Sequence, residues 1–357
     1  MERLILSINP GSTSTKFAIY REDTLLFEEN IAHPLKVLAG FDRIGDQFEY
    51  RKNLIIQKLR DLKIEFNDIK AVVGRGGLLR PIESGIYEVN ESMRHDLMAG
   101  ISGEHASYLG GLIAYSISEL LGEAKAYIVD PVVVDEMEEV ARVSGHPEIE
   151  RRSIFHALNQ KAVARLYAGS VGRKYEELNL IIAHMGGGVS IGAHRLGRVV
   201  DVNNAYNGDG PIAPERSGGL PSGQLAELCF SGKYSIDQMM KKLTGEGGIV
   251  AYLGTNDFRE VCKRALEGAE DARLIQKAVA YQCGKEIGAL AAVLHGEVDA
   301  IILTGGLAYQ KEHTDYIEEM VNHIARVVIY PGEDELKTLS FNGLMALNGE
   351  IEIKTYN

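Results

Sequence analysis

At 357 residues, with 45% hydrophobic and 25% charged, the chain falls outside the disordered and fibrous classes. It also exceeds the roughly 250–300 residues that one hydrophobic core supports, so two domains with room for a large cleft are expected. A net charge of -12 argues against a general binder of nucleic acid or anionic membranes, since such surfaces need clustered Lys and Arg to displace counterions.

The N-terminal MERLILSINPG meets Pro10-Gly11 before any leader-length apolar stretch develops, and no uncharged run approaches the ~18 residues that span a bilayer, so a cytoplasmic protein is expected. Leu4 to Asn9 reads as a buried strand, PGSTST as a turn, Lys16 to Tyr20 as a return strand and Leu25 to Ile31 as a third. Helical periodicity covers Leu35 to Leu62. The run Ala71-Val72-Val73 is a strand that stops at Gly74-Arg75-Gly76-Gly77. Ser102 to Leu121 reads as helix, and Ala126 to Val129 as a strand ending at Asp130-Pro131. The theme returns in the second half: strand Leu180 to His184, glycine turn Met185 to Gly188, and a strand-rich return from Val189 to Val202. Asn256 or Asp257 is placed to cap a helix reaching Leu266, and Asp271 a longer one reaching His295, in which Gly284 and Gly288 leave room for another backbone. Val298 to Leu303 is a strand meeting Thr304-Gly305-Gly306, followed by a helix near Thr314 to Arg326 and a strand Val327 to Tyr330. The alternation makes a mixed α/β protein, and the echoed strand–glycine–strand unit suggests two similar domains. Cys229, Cys262 and Cys283 are odd in number, form no C-x-x-C pair, and read as buried structural thiols of a reducing compartment.

INPGSTSTK lacks the G-x-x-x-x-G-K-[ST] spacing of a P-loop. Gly11 with Ser12, Thr13 and Ser14 can instead leave backbone N–H groups exposed as an anion nest above Lys16, with Asn9 turned to a phosphate oxygen or a metal-bound water; a plain polar β-turn is the alternative. HMGGGVSIG contains G-x-S-x-G around Ser190, the pattern of a hydrolase nucleophile elbow. That elbow needs strand–turn–helix, whereas Ile191 to Val202 reads as a strand hairpin, so close glycine approach to phosphate beside His184 is the better reading. GDGPIA, Gly208 to Ala213, matches a dinucleotide fingerprint only superficially, because Pro211 interrupts it and no strand precedes it. Arg75 and Arg216 stand in glycine-rich loops where a guanidinium can fork onto carboxylate or phosphate oxygens, although surface ion pairs account for most arginines. Asp130 suits a metal-associated carboxylate, or equally a turn former. Among ten histidines, His105 and His156 stand out by loop-to-helix placement.

Taken in order, INPGSTSTK, VVGRGGLLRPI, EHASYLGGLIA, IVDPVVVDEM, SIFHALNQKAVA, IIAHMGGGVSIGAH, NGDGPIAPERSGGLPSG, AIILTGGLA and YPGEDELKTL resemble the acetate kinase family, within the acetate and sugar kinase, heat-shock chaperone and actin superfamily. The resemblance runs the length of the chain, and the ordered series is far more specific than any member. It implies an α/β protein of two similar domains, each a mixed sheet flanked by helices (the actin-like ATPase, ribonuclease H-like duplication), around a nucleotide cleft. The domains implied are 1–170 and a nucleotide-binding 171–339, with about 340–357 packing back on the first. It implies a phosphotransferase that uses ATP/ADP and Mg2+ to phosphorylate a short-chain carboxylate reversibly to its acyl phosphate. A homo-oligomer that binds neither nucleic acid nor membrane is implied too.

Carried over residue by residue, Asn9, Ser12, Ser14 and Lys16 match the first phosphate loop, His184 and Gly186, Gly187 and Gly188 the second, and Thr304, Gly305, Gly306 and Leu307 the adenosine turn. Arg75 and Arg216 match the arginines on the carboxylate and the transferring phosphoryl group, and His156 the histidine that steadies that group. Asp130 matches the essential aspartate, Glu335 (or Asp334) the magnesium-linked glutamate, and His105 with Gly76 the acyl side. The chain departs from acetate kinases in its shorter length, in VVGRGGLL and in the proline after Asp130, which favours a butyrate-like or branched acid. The competing readings are an acetate, propionate or isobutyrate kinase, a noncatalytic nucleotide switch of the same superfamily, and a hydrolase using Ser190.

Overall fold

The computed structural model describes residues 3–101, 103, 106–207 and 209–357; His105, expected beside the acyl group, and Gly208 of the GDGPIA stretch lie outside them. Two compact units make up the chain, Met1–Val134 with Asp334–Asn357, and Asp135–Glu333. The first break falls ahead of the 170/171 boundary expected from sequence. The reason is the Ala157–Ser170 helix, which packs Val163, Ala164, Tyr167 and Ala168 against Leu180, Ile182, Ala300 and Ile302 of the second sheet.

In the first unit, β1 (Leu4–Pro10), β2 (Ser14–Arg21) and β3 (Thr24–Ala32) form an antiparallel meander, as the apolar runs around PGSTST require. β4 (Ile69–Arg75) joins β1 in parallel, and β5 (Ile86–Glu88), β6 (Lys125–Val129) and the terminal strand Ile353–Lys354 complete the order Ile353–Lys354, β5, β6, β4, β1, β2, β3. Alternation along β4 divides its contacts between two faces. Val73 meets the Glu335–Leu347 helix, where a Cβ on Gly343 would lie 2.6 Å from the Val73 methyl. Its neighbour Gly74 turns the other way, onto the Leu109–Leu121 helix, and a Cβ there would sit 2.1 Å from the Gly110 carbonyl oxygen.

The second unit repeats the plan. β7 (Asn179–Met185), β8 (Val189–Arg195) and β9 (Arg198–Val202) are an antiparallel meander, and β10 (Ala300–Gly305) and β11 (Val327–Pro331) run parallel to β7 in the order β11, β10, β7, β8, β9. The order β6, β4, β1, β2, β3 of the first unit has the same connectivity, so the two sheets are copies of one design. Sheets of this kind place ligands beyond the carboxyl ends of their parallel strands. Arg75, Asp130, the Gly186–Gly188 turn and the Thr304–Leu307 turn all follow such ends.

Several local expectations shift. The helix expected from Ser102 begins at Leu109, after a 3-10 turn at Ala106–Tyr108, and the helix near Thr314 spans Lys311–Val321. Asp257 does cap the Phe258–Leu266 helix, accepting from Arg259 N. Ala269 takes the N-cap of Glu270–Val293 and leaves Asp271 in the first turn, where it complements the helix dipole. Gly284 accommodates the Met320 side chain, not a backbone, and Gly288 faces open space. Cys229 is exposed, because the Ser222–Phe230 helix that carries it buries no residue; Cys262 and Cys283 are buried. Among the described residues no helix is long and apolar enough to cross a membrane.

One buried group predicts a pH effect. His313 is 1% exposed, meets Phe258 edge-on at 5.0 Å between centroids, and bonds nothing through either ring nitrogen among the described residues. Burial pushes it from 6.5 down to about 4. The unfolded chain therefore binds more protons between those values, and stability present above pH 6.5 is lost as pH falls through 4, up to about 3 kcal/mol. His313→Leu is expected to flatten this acid limb and leave neutral-pH stability equal or higher, as read by urea unfolding at pH 7 and pH 4.5. An unchanged difference between the two pH values would refute it.

Candidate active site

In the first unit, the PGSTST turn is held from behind by a residue that the motif reading did not single out. Arg51, 0% exposed on the Phe48–Asp61 helix, donates to Gly11 O at 2.7 Å, Ser14 O at 3.0 Å and Ser12 O at 3.1 Å. It also donates to Thr15 Oγ1 at 3.1 Å and to Gln47 Oε1 at 2.7 Å. Thr15 Oγ1 lies 2.8 Å from His33 Nε2, and burial first, then the Arg51 charge, pushes His33 down to about 4, so the ring beside Arg51 is neutral. The last carbonyl of the turn, Thr13 O, accepts from His33 N at 2.8 Å. With its carbonyls drawn inward, the turn keeps Ser12 and Thr13 exposed, beside an exposed Lys16. This is the polarity an anion nest requires.

Arg75, at the end of β4, is 19% exposed and lies 3.2 Å from Glu335, with Asn9 Oδ1 at 3.4 Å. Asn9 also donates through Nδ2 to Glu335 Oε2. Asn9 and Glu335, expected to serve a phosphate and a metal, thus brace Arg75 between β1 and the Glu335–Leu347 helix. The glycines around Arg75 are explained by packing: Cβ atoms at Gly76 and Gly77 would sit 2.5 Å from Pro131 Cβ and 2.2 Å from Tyr108 Cα. Asp130 is buried, with φ of 37°, an unusual conformation for a residue before proline. Ser84 Oγ at 2.6 Å and Gly85 N at 2.8 Å hold its Oδ1 there. Backbone of this kind is held only where its surroundings over-determine it, which keeps Asp130 a candidate functional residue.

In the second unit, Gly186, Gly187, Gly306 and Leu307 converge on a cavity of about 540 Å³, within the range that small ligands occupy. Pro214, Glu215, Asn256 to Arg259, Tyr309, Gln310 and Glu333 complete its lining. Beyond its chain neighbours, a Cβ built at Gly187 or Gly306 meets no protein atom within 4 Å, so protein packing does not demand glycine there and the backbone is open to the cavity. Thr304 and Gly305 stand behind: Thr304 donates to Gly332 O at 3.2 Å, and a Cβ at Gly305 would strike Met185 O at 2.4 Å. Gly188 has a different duty. A Cβ there would lie 1.8 Å from Arg216 Nη1, so the guanidinium occupies the space that glycine leaves, where it also donates to Ala205 O.

His156, at the N-cap of the Ala157–Ser170 helix, stacks on His184 at 3.8 Å between centroids and 15° between planes. His184 is anchored by Asn159 Oδ1 at 2.8 Å and lies 3.3 Å from Glu333. Among the described residues, no three of His, Cys, Asp and Glu cluster as a metal site. Mg2+ characteristically takes one or two carboxylates and completes its shell with substrate phosphates and water, so buried Asp130 and Glu335 are of the ligand type it uses.

Of the residues singled out by motif, the structure brings Arg75 to Asn9 and Glu335, His156 to His184, and Arg216 to Gly188. Arg51 and the cavity wall Asn256 to Arg259 were not singled out for a site. Arg51 did leave a trace: with Ile55 and Leu59 it recurs at i, i+4, i+8, placing a charge on the helix's buried face.

The family model described as the Acetokinase family matches residues 146–338. Butyrate kinase 2 and Butyrate kinase 1 of Clostridium acetobutylicum are 56% and 54% identical to the chain over 356 residues, covering 100% of it and 100% of each relative. Among solved structures, Porphyromonas gingivalis acetate kinase superposes with a TM-score of 0.76 at 20% identity, covering 97% of this chain and 100% of that one. A propionate kinase from Francisella tularensis gives 0.75 at 18% identity, covering 95% and 98%. At such identities the structural matches speak for the fold alone, a duplicated α/β architecture.

Proposed function

The chain belongs to the acetokinase family, and from that membership we propose that it phosphorylates butyrate with ATP to butyryl phosphate and runs the reverse reaction to make ATP. The observation that carries the nucleotide half is the convergence of Gly187 and Gly306 on one cavity beside the Gly188 seat of Arg216. Butyrate is ionised at neutral pH, as carboxyl reference values near ~4 indicate, so its oxygen attacks the γ-phosphorus without a general base. The bond to the β–γ bridging oxygen breaks in line, and ADP leaves. Catalysis then consists of positioning and charge stabilisation.

In this reading Arg75 holds the carboxylate, supported by its bracing on Asn9 and Glu335, while Arg216 and His156 steady the transferring phosphoryl group. Lys16, Ser12 and Ser14 serve one phosphate loop, His184 with Gly186 to Gly188 the other, and the turn Thr304 to Leu307 the adenosine. Mg2+ would supply charge neutralisation on the nucleotide phosphates, with Asp130 the carboxylate that orients it and Glu335 acting through Arg75. The enzyme works in the cytoplasm as a homo-oligomer, a reading that rests on family resemblance and that light scattering tests.

The Ser190–His156 contact of 2.9 Å favours a second reading, a serine hydrolase. Against it, Ser190 is 0% exposed and sits in an antiparallel strand, where no substrate carbonyl reaches it. A fluorophosphonate probe is therefore expected to leave Ser190 unlabelled. The deciding experiment presents acetate, propionate, butyrate and isobutyrate with ATP and magnesium and traps the acyl phosphate with hydroxylamine. Butyrate or isobutyrate is expected to give the highest kcat/KM. Preference for acetate would transfer the chain to the acetate kinases, and no hydroxamate from any acid would leave a nucleotide-binding switch.

A further inference from the structure

Behind His156 lies a buried chain of hydrogen bonds whose direction can be worked out atom by atom. Gln160 is 0% exposed, and its amide reaches Ser190 O at 3.0 Å and Ser190 Oγ at 2.9 Å. A carbonyl oxygen only accepts, so the nitrogen of Gln160 must face Ser190. Its oxygen then faces His194 Nε2 at 2.9 Å and can only accept, which puts the His194 hydrogen on Nε2. Full burial, reinforced by Lys161 and Arg165, holds His194 far below its ordinary pKa and hence neutral. Its Nδ1 is therefore bare, and the Tyr175 hydroxyl at 2.6 Å donates to it. At the other end, Ser190 Oγ accepts from Gln160 Nε2–H and, at 3.4 Å, from the His156 backbone N–H. Both its lone pairs are engaged, so its one hydrogen goes to His156 Nδ1 at 2.9 Å.

We propose that Gln160 and Ser190 are positioning residues that lock His156 into a single neutral tautomer, hydrogen on Nε2, so that its ring presents a donor to the transferring phosphoryl group. The assignment of that donor's target rests on the kinase reading above; the tautomer itself does not. The polarity originates in a strand carbonyl, which has no alternative role, and is passed through an amide that cannot rotate without breaking two bonds. A histidine left to choose between its nitrogens would spend part of its time with a lone pair facing phosphoryl oxygens.

The test uses full-length protein carrying 15N-labelled histidine, with the His156 signals identified by their loss in His156→Ala. In the wild type, Nε2 is expected to be the protonated nitrogen and Nδ1 the bare one. In Gln160→Glu, a carboxylate accepts from both His194 and the Ser190 hydroxyl, Ser190 becomes an acceptor toward His156, and the hydrogen is expected to move to Nδ1. Turnover should fall about tenfold to a hundredfold, the range typical when a partner that orients a working group is lost. KM for ATP and acid should hold, since neither ground-state contact changes. Should the buried carboxylate prevent folding, Ser190→Ala decides: with Nδ1 deprived of its donor, the two tautomers should coexist and kcat should fall without a matching change in melting temperature. A wild-type His156 protonated on Nδ1 or on both nitrogens would overturn the proposal. So would a folded variant with altered tautomer and unaltered kcat, or Ser190→Ala retaining both the wild-type tautomer and turnover. If the wild type forms no acyl phosphate from any acid, the kinase reading fails while the tautomer result stands on its own.

Discussion

Gly188→Ala is expected to lose on the order of 10²–10³-fold in kcat while folding normally, and Arg216→Ala to lose a similar amount. The two variants reach one defect by different routes. Alanine at 188 puts a methyl group 1.8 Å from the present position of Arg216 Nη1. Because that atom is the end of a flexible side chain, the guanidinium moves aside, and the Ala205 carbonyl oxygen at 3.1 Å has only a few tenths of an ångström to give. The fold therefore survives, and the charge that should neutralise the transferring phosphoryl group is no longer seated beside Ala205 O and Tyr206. In the double variant the losses should not add, since the second change removes a group already displaced. Steady-state kinetics with butyrate and ATP, alongside thermal unfolding, reads all three proteins. Near-normal turnover in Arg216→Ala would remove Arg216 from the mechanism, and additive losses would show that Gly188 acts through something other than the arginine.

The second large effect concerns Arg51. Arg51→Met keeps the aliphatic stem but removes the donor that the carbonyls of Gly11, Ser12 and Ser14 share, leaving Ser14 O its bond from Gly11 N at 2.8 Å. Losing several hydrogen bonds from a charged donor to part-buried acceptors should cost on the order of 2–4 kcal/mol in urea unfolding. Freed from the inward pull, the turn can also rotate its carbonyls outward, so the surviving folded protein should bind ATP more weakly. Arg51→Lys should recover only part of either effect, because a single ammonium has no planar fork to reach both sides of the turn. If Arg51→Met unfolded like the wild type, the turn would owe its shape to the strands alone.

These residues also show what sequence makes legible. Strands ending in glycine, such as those before Arg75 and Gly186, announce themselves because apolar runs and glycines are local signals. The repeated strand order was foreshadowed by the echo of the opening hairpin at Leu180 to Val202 for the same reason. The glycine roles were not legible: at 76 and 77 packing against Pro131 and Tyr108 demands glycine, at 188 Arg216 does, and 187 and 306 line the cavity with no packing partner. Each reason depends on what the fold brings from elsewhere in the chain. Asn256 to Arg259 escaped likewise, because a cavity wall carries no motif of its own. Cys229 was misread since composition says nothing of which helix stays uncovered. Asp130 fared better, as a carboxylate before proline at a strand end, although its left-handed φ emerged only with the structure.

The passage of the chain out of its first unit at Val134 and back at Asp334 has a consequence for biosynthesis. On the ribosome, the second unit is encoded without interruption and can close as soon as its last strand emerges. The first unit cannot, because the helix that covers Ile5, Ala71 and Val73 through Gly343 is made only after the whole of the second unit. The half of the protein translated first is therefore the half finished last, and until then the inner face of β1 and β4 stays uncovered. A chain cut after Glu333 would leave that face open for good, so aggregation of such truncations should be led by the amino-terminal unit.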